Sequence, residues 1–227
     1  MIRVVIIAEG YTEKMFINEV VAPALDPSKI QLQPILLQTS RGHSGGAVSF
    51  DRFKGNAIGT LKMSSAPILS TFLDLQGLRK DFPGVKEAGK IVDVHARVVR
   101  LETALHRAIV EAVGCREERF LPHIQPFEFE GLLFSDVAAL CAIEPEWARF
   151  RGKLAKIRKD HESPEHINGS HDTKPSKRLE NTLSPKYRKT LHGSDAAGRI
   201  TLAVMERECA HFRGWMDKLR GLADDAR

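Results

Sequence analysis

The 227-residue sequence predicts an α/β fold: a mostly parallel sheet flanked by helices, with a mainly helical C-terminal extension. Three observations carry this. Ile2 to Ala8 and Pro67 to Asp74 are apolar, β-branched runs without polar alternation, the pattern of strands buried on both faces of a parallel sheet. Segments of helical period separate the strand-like runs. Beyond residue 140 no strand-like run recurs, and Leu202, Met205, Cys209, Phe212, Met216 and Leu219 repeat at alternating threes and fours. The expected division is an α/β domain over 1–140 and a basic, mainly helical extension over 141–227.

Each element follows in order. After β-like Ile2 to Ala8 comes Glu9, placed where the strand should end, then Gly10 for a sharp turn. Thr12 suits the cap of the next helix, and Glu13 reads as a first-turn charge that favours the helix dipole. Ligands of open α/β sheets bind at the carboxyl ends of the strands, so Glu9 stands where chemistry happens. Phe16, Ile17, Val20 and Val21 keep helical spacing until Pro23. Gln31 to Gln38 is the second strand. The loop Thr39 to Gly46 is glycine-rich without a phosphate-loop fingerprint, and Arg41 is its candidate phosphate contact. Residues 50 to 62 form a helix. The third strand ends in a second acid, Asp74.

If these strands are neighbours, about 5 Å apart, Glu9 and Asp74 repel unless a cation lies between them or one keeps a proton. A hard divalent ion, Mg²⁺ or Mn²⁺, is the expected solution. Residues 91 to 113 form a long amphipathic helix whose apolar stripe is core. Phe120 to Gln125 is a fourth strand, and Glu128 and Glu130 follow it. Extended, the two acids share a face; helical, only one reaches the site.

Composition bounds the partners. The net charge of +5 is concentrated between residues 151 and 193, where eleven Lys and Arg face five Asp and Glu. That segment is the candidate phosphate contact, with Lys174-Pro-Ser-Lys-Arg178 pairing a hydroxyl with Lys and Arg. His161, His166 and His171 are spaced by five, which does not suit one helix face or a zinc site. The three cysteines form no CxxC pair. No run approaches the about 18 apolar residues of a membrane span, and the chain starts on a strand with no leader, so a cytoplasmic, non-membrane protein is expected. The closing helix is expected to pack on the body or on a second copy in a homodimer.

Glu-Gly-Tyr-Thr-Glu (9 to 13), Asp-Leu-Gln-Gly (74 to 77), Glu-Phe-Glu-Gly-Leu-Leu-Phe-Ser-Asp (128 to 136), Thr-Lys-Pro-Ser-Lys-Arg (173 to 178) and Cys-Ala-His-Phe-Arg-Gly-Trp-Met (209 to 216) resemble, in this order, domain-of-unknown-function family 4276. That family looks like a divergent branch of the Toprim fold, the Rossmann-like metal-binding domain of topoisomerases, primases and overcoming-lysogenization-defect nucleases. The resemblance implies that Glu9 matches the acid ending the first strand and Asp74 the first Asp of an Asp-x-Asp motif, with Gln76 in place of the second. It implies a Mg²⁺- or Mn²⁺-dependent nuclease of DNA or RNA in a prokaryotic defence system, working beside a separately encoded ATPase. Glu9, Asp74, Glu128 and Glu130 would be the metal ligands, Glu9, Asp74 and Lys177 the catalytic groups, and Arg41, Ser176, Lys177 and Arg178 the phosphate contacts. Phe127 and Gly169 depart from the family's usual His or Tyr and Asp. The alternative is a Toprim-like adaptor that binds nucleic acid or protein without catalysis.

Overall fold

In the computed structural model, residues 1–40, 43–44, 49–168, 170 and 172–224 are described. β1 (Ile2–Ala8) lies between β2 (Ile30–Leu36) and β5 (Ile68–Asp74), and all three run parallel. Two short strands, β3 (Gln38–Ser40) and β4 (His43–Ser44), pair apart from this sheet. The expected fourth strand is split into β6 (Phe120–Leu121) and β7 (Ile124–Gln125), each parallel to β5. The interruption has a cause: Thr71 binds the His123 backbone twice, its Oγ1 accepting from the N–H and donating to the C=O, both at 2.8 Å. A side chain thus replaces the ladder between the two short strands.

The unbroken apolar run of β1 serves two cores. Val4, Ile6 and Ala8 face one, Val5 and Ile7 the other, and all five are buried. The second core is closed by α2 (Phe50–Leu61), the single turn α3 (Val85–Ala88) and α4 (Val94–Val113). Asp93 caps α4 by accepting from the Ala96 N–H at 2.7 Å, and Gly114 ends it at φ +68°, a conformation glycine adopts without cost. The first core is larger. Against it pack α1 (Tyr11–Phe16), the turns Phe129–Ser135, α5 (Val137–Cys141), α6 (Arg151–Lys159), α7 (Pro175–Thr182), α8 (Lys189–Ile200), α9 (Leu202–Glu208) and α10 (Ala210–Asp224).

Two helical expectations change in detail. Gly10, not Thr12, caps α1, and Thr12 is buried inside it; the helix continues as a π turn over Ile17–Val21 and a 3₁₀ turn over Ala22–Ala24. The closing repeat breaks at Cys209, whose extended backbone separates α9 from α10. In this structure α10 packs on the sheet: Phe72 of β5 lies 5.3 Å from Trp215 and 5.7 Å from Phe16, centroid to centroid. Trp215 Nε1 also donates to Ser70 Oγ at 2.9 Å. Residues on both sides of position 140 therefore share one core, and Phe72→Ala would remove about 3–5 kcal/mol from it. No helix among the described residues is long and apolar enough to cross a membrane. Because the strands are parallel, Glu9, Asp74 and Gln125 emerge at the same end of the sheet.

Candidate carboxylate centre

Five acids gather at that end. Glu9 Oε2 accepts from the Asp74 N–H at 3.0 Å, and Asp74 Oδ1 accepts from the Phe129 N–H at 2.9 Å. The second bond fixes the segment after β7 across the strand ends. Phe127 turns there at φ +58°, Glu128 is extended and Glu130 lies in the first turn of the 3₁₀ segment, so both acids reach the site, one from each conformation weighed for them. Gly77 is required by close approach: a Cβ on it would stand 2.3 Å from Glu9 Oε2.

The centre of the cluster is the Lys189 ammonium at the start of α8. Its Nζ lies 3.0 Å from Glu13 Oε1, 3.3 Å from Glu130 Oε2 and 3.6 Å from Asp74 Oδ2. Burial opposes that charge, but Asp74, Glu130 and Glu13 outweigh it and hold the ammonium well above the ordinary lysine range. A second cation, Lys174, pairs with Glu128, whose other oxygen accepts from the Ser176 N–H at 3.1 Å. Tyr187 completes the wall, its hydroxyl donating to Glu130 Oε1 at 3.4 Å.

Two ammonium groups do not balance five carboxyls. Burial raises Glu9 to about 7 against the Asp74 N–H that opposes it, and burial raises Glu130 to about 7 against Lys189. Asp74 is pushed well above the usual carboxylate range by burial, with Glu9 adding to the rise. Glu13 Oε1 and Glu130 Oε2 share the one Lys189 ammonium, at 3.0 Å and 3.3 Å. The centre therefore has unfilled affinity for positive charge, supplied by protons or by a cation. Its donors are all carboxylate oxygens, the set a hard divalent ion takes.

Residues 8–220 match the model of a domain of unknown function, DUF4276. The chain belongs to the DUF4276 family. No curated protein and no solved structure matches it. In this DUF4276 chain the four acids named from sequence, Glu9, Asp74, Glu128 and Glu130, stand together. The expected phosphate contacts divide. Ser176 is buried and reaches Glu128 through its N–H, whereas Lys177 pairs with Glu180 at 2.7 Å and Arg178 Nε donates to the Thr173 carbonyl. Arg41 lies outside the described residues. Lys177 is thus turned toward its own helix and not to the acids.

Glu13, Lys174, Tyr187 and Lys189 were missed. Glu13 carried a usable signal, since it follows Glu9 by four residues on the helix leaving the same strand end; its burial to 2% shows more than a dipole charge. Lys174 was read as part of the Lys174–Arg178 phosphate-contact motif, and Lys189 was counted only within the basic segment. Their approach to acids 46 and more positions away needs the fold.

Proposed function

We propose that this DUF4276 chain is a Mg²⁺- or Mn²⁺-dependent phosphodiester hydrolase acting on DNA or RNA, through a Toprim-like strand-end centre. The observation that supports it is the cluster of five carboxyls at the ends of two adjacent parallel strands, under-neutralised by its own lysines. Glu9 and Asp74, with Glu130 or Glu128, would hold the ion, which when bound supplies an activated water and charge neutralisation at the leaving oxygen. Gln76 offers a neutral oxygen where a second Asp would bring charge, which favours one ion over a rigid pair.

The protein's own groups do the rest. Lys189 is fixed among the acids and is charged throughout the ordinary pH range, so it can neutralise a phosphate oxygen as negative charge builds in the transition state. Tyr187 stays a neutral phenol, because burial raises it well above its ordinary value, and it holds Glu130 in place. In the metal-free centre Glu9, raised to about 7, exchanges a proton near neutral pH, and a bound ion would displace that proton. A defence role beside a separately encoded ATPase remains part of this reading, as the family resemblance implies.

A second reading rests on Lys189 as well. An ammonium in the middle of the acids is already a cation, and a centre satisfied that way would serve an adaptor without turnover. The two separate in one experiment: incubation of supercoiled plasmid and single-stranded DNA with Mn²⁺ or Mg²⁺ and either the unmodified protein or Asp74→Asn. The hydrolase reading expects cleavage that the variant loses by about 10²-fold or more, with DNA binding retained. Binding without cleavage in both proteins would leave the adaptor.

A further inference from the structure

A second cluster lies away from the strand-end acids. Glu102 of α4, His123 between β6 and β7, and His211 in the first turn of α10 bring one ligand atom each to within 4.8 Å of the others. Glu102 Oε1 is 2.8 Å from His211 Nε2 and 3.8 Å from His123 Nδ1. The Ile124 N–H, donating at 2.8 Å, holds that same oxygen in place. His123 Nε2 lies 3.2 Å from Gln125 Oε1. In the tautomer that donates from Nε2 to Gln125 Oε1, the Nδ1 lone pair faces the Glu102 carboxylate. A lone pair and a carboxylate oxygen at 3.8 Å, both acceptors, gain nothing from each other; a positive ion between them satisfies both. The outward Nε2–H to Gln125 is also the arrangement that orients metal-ligating histidines.

We propose that Glu102, His123 and His211 form a second metal site, selective for Zn²⁺-class transition ions over Mg²⁺. Two imidazoles and one carboxylate are a borderline-soft donor set, the composition of three-ligand zinc sites that keep a fourth position open. The open side is present: Glu102, His123 and His211 line a cavity of about 380 Å³, with Lys218 and Trp215 on its wall. The His123 and His211 rings are near parallel, 20° apart at 5.0 Å between centroids. Loading therefore turns one ring; His123 is buried, and His211, only half-buried in the first turn of α10, is the one with room to move.

The test is titration of the purified chain with Co²⁺ in saturating Mg²⁺, read by visible absorption, followed by Zn²⁺ displacement. Expected are the intense bands of a low-coordinate nitrogen-ligated ion, one equivalent per chain, persisting in Glu9→Gln. His211→Ala should abolish them, and Gln125→Leu should weaken binding by about 10–100-fold. Each variant is paired with its melting curve. Absence of the bands in the unmodified protein, their loss in Glu9→Gln, or their persistence in folded His211→Ala would overturn the site. If His211→Ala does not fold, displacement of Co²⁺ by Mg²⁺ alone would do the same.

Discussion

The two clusters use the same element, a buried carboxylate beside nitrogen, to different ends. At the strand ends the nitrogens are ammonium groups, so they are spent as cations, and every remaining donor is an oxygen. Between α4 and α10 the nitrogens are imidazoles, one of them held neutral, and they remain donors themselves. The first arrangement suits a hard ion or a proton; the second suits a transition ion. Ligand class thus follows from whether the nitrogens are protonated, not from the count of acids.

The comparison breaks most readily at Gly77. Gly77→Ala places a methyl group where Glu9 now lies, and cleavage should fall by about 10²-fold or more, as in Glu9→Gln, while Co²⁺ binding between α4 and α10 is untouched. Normal cleavage by Gly77→Ala would mean that Glu9 is not positioned as argued. Next is Lys189→Met, which leaves three acids without their shared cation. Its side chain keeps 37% exposure, so the loss is about 1–3 kcal/mol and not the larger cost of a fully buried pair. Chemical denaturation in EDTA measures it, and added Mn²⁺ should raise the melting temperature of this variant more than that of the unmodified protein. Equal shifts would place the ion elsewhere.

A smaller effect appears with pH. Glu9 and Glu130 have folded values of about 7 against ordinary values of 4.5, so between these limits the folded chain binds more protons than the unfolded one. Their contribution to stability is full below about 4.5 and is lost as pH rises through about 7. Neutral buried His123 runs the other way, so the informative quantity is a difference. In metal-free buffer, Glu130→Gln should lose less stability between acidic and mildly alkaline pH than the unmodified chain; parallel profiles would refute the assignment. Smallest of all, Lys177→Ala and Arg178→Ala should each change the salt slope of DNA binding by less than about one unit, because both side chains already have partners within the chain. A loss of a full unit or more would return them to the phosphate path.

Legibility in the sequence followed locality. β1 and β5 announced themselves as apolar runs, and an acid directly after such a run has only one place to be, so Glu9 and Asp74 could be placed from residue order alone. Glu128 and Glu130 were visible as acids after a strand, but their common reach into the site depends on the positive φ of Phe127 and on Asp74 binding the Phe129 N–H, neither of which leaves a trace in spacing. Lys189 belongs to the centre because α8 packs on α1, and the basic segment hid it among ten other cations. The cluster of Glu102, His123 and His211 draws on residues up to 109 positions apart and so has no motif; the histidines that did show a spacing, His161 and His166, are not part of it.

The central claim, that the strand-end acids form a hydrolytic centre, is tested most directly by Mn²⁺-dependent cleavage of plasmid and single-stranded DNA with the unmodified chain and Glu9→Gln side by side. The account predicts cleavage by the former and a loss of about 10²-fold or more in the latter at unchanged folding. Equal cleavage by both proteins would contradict it.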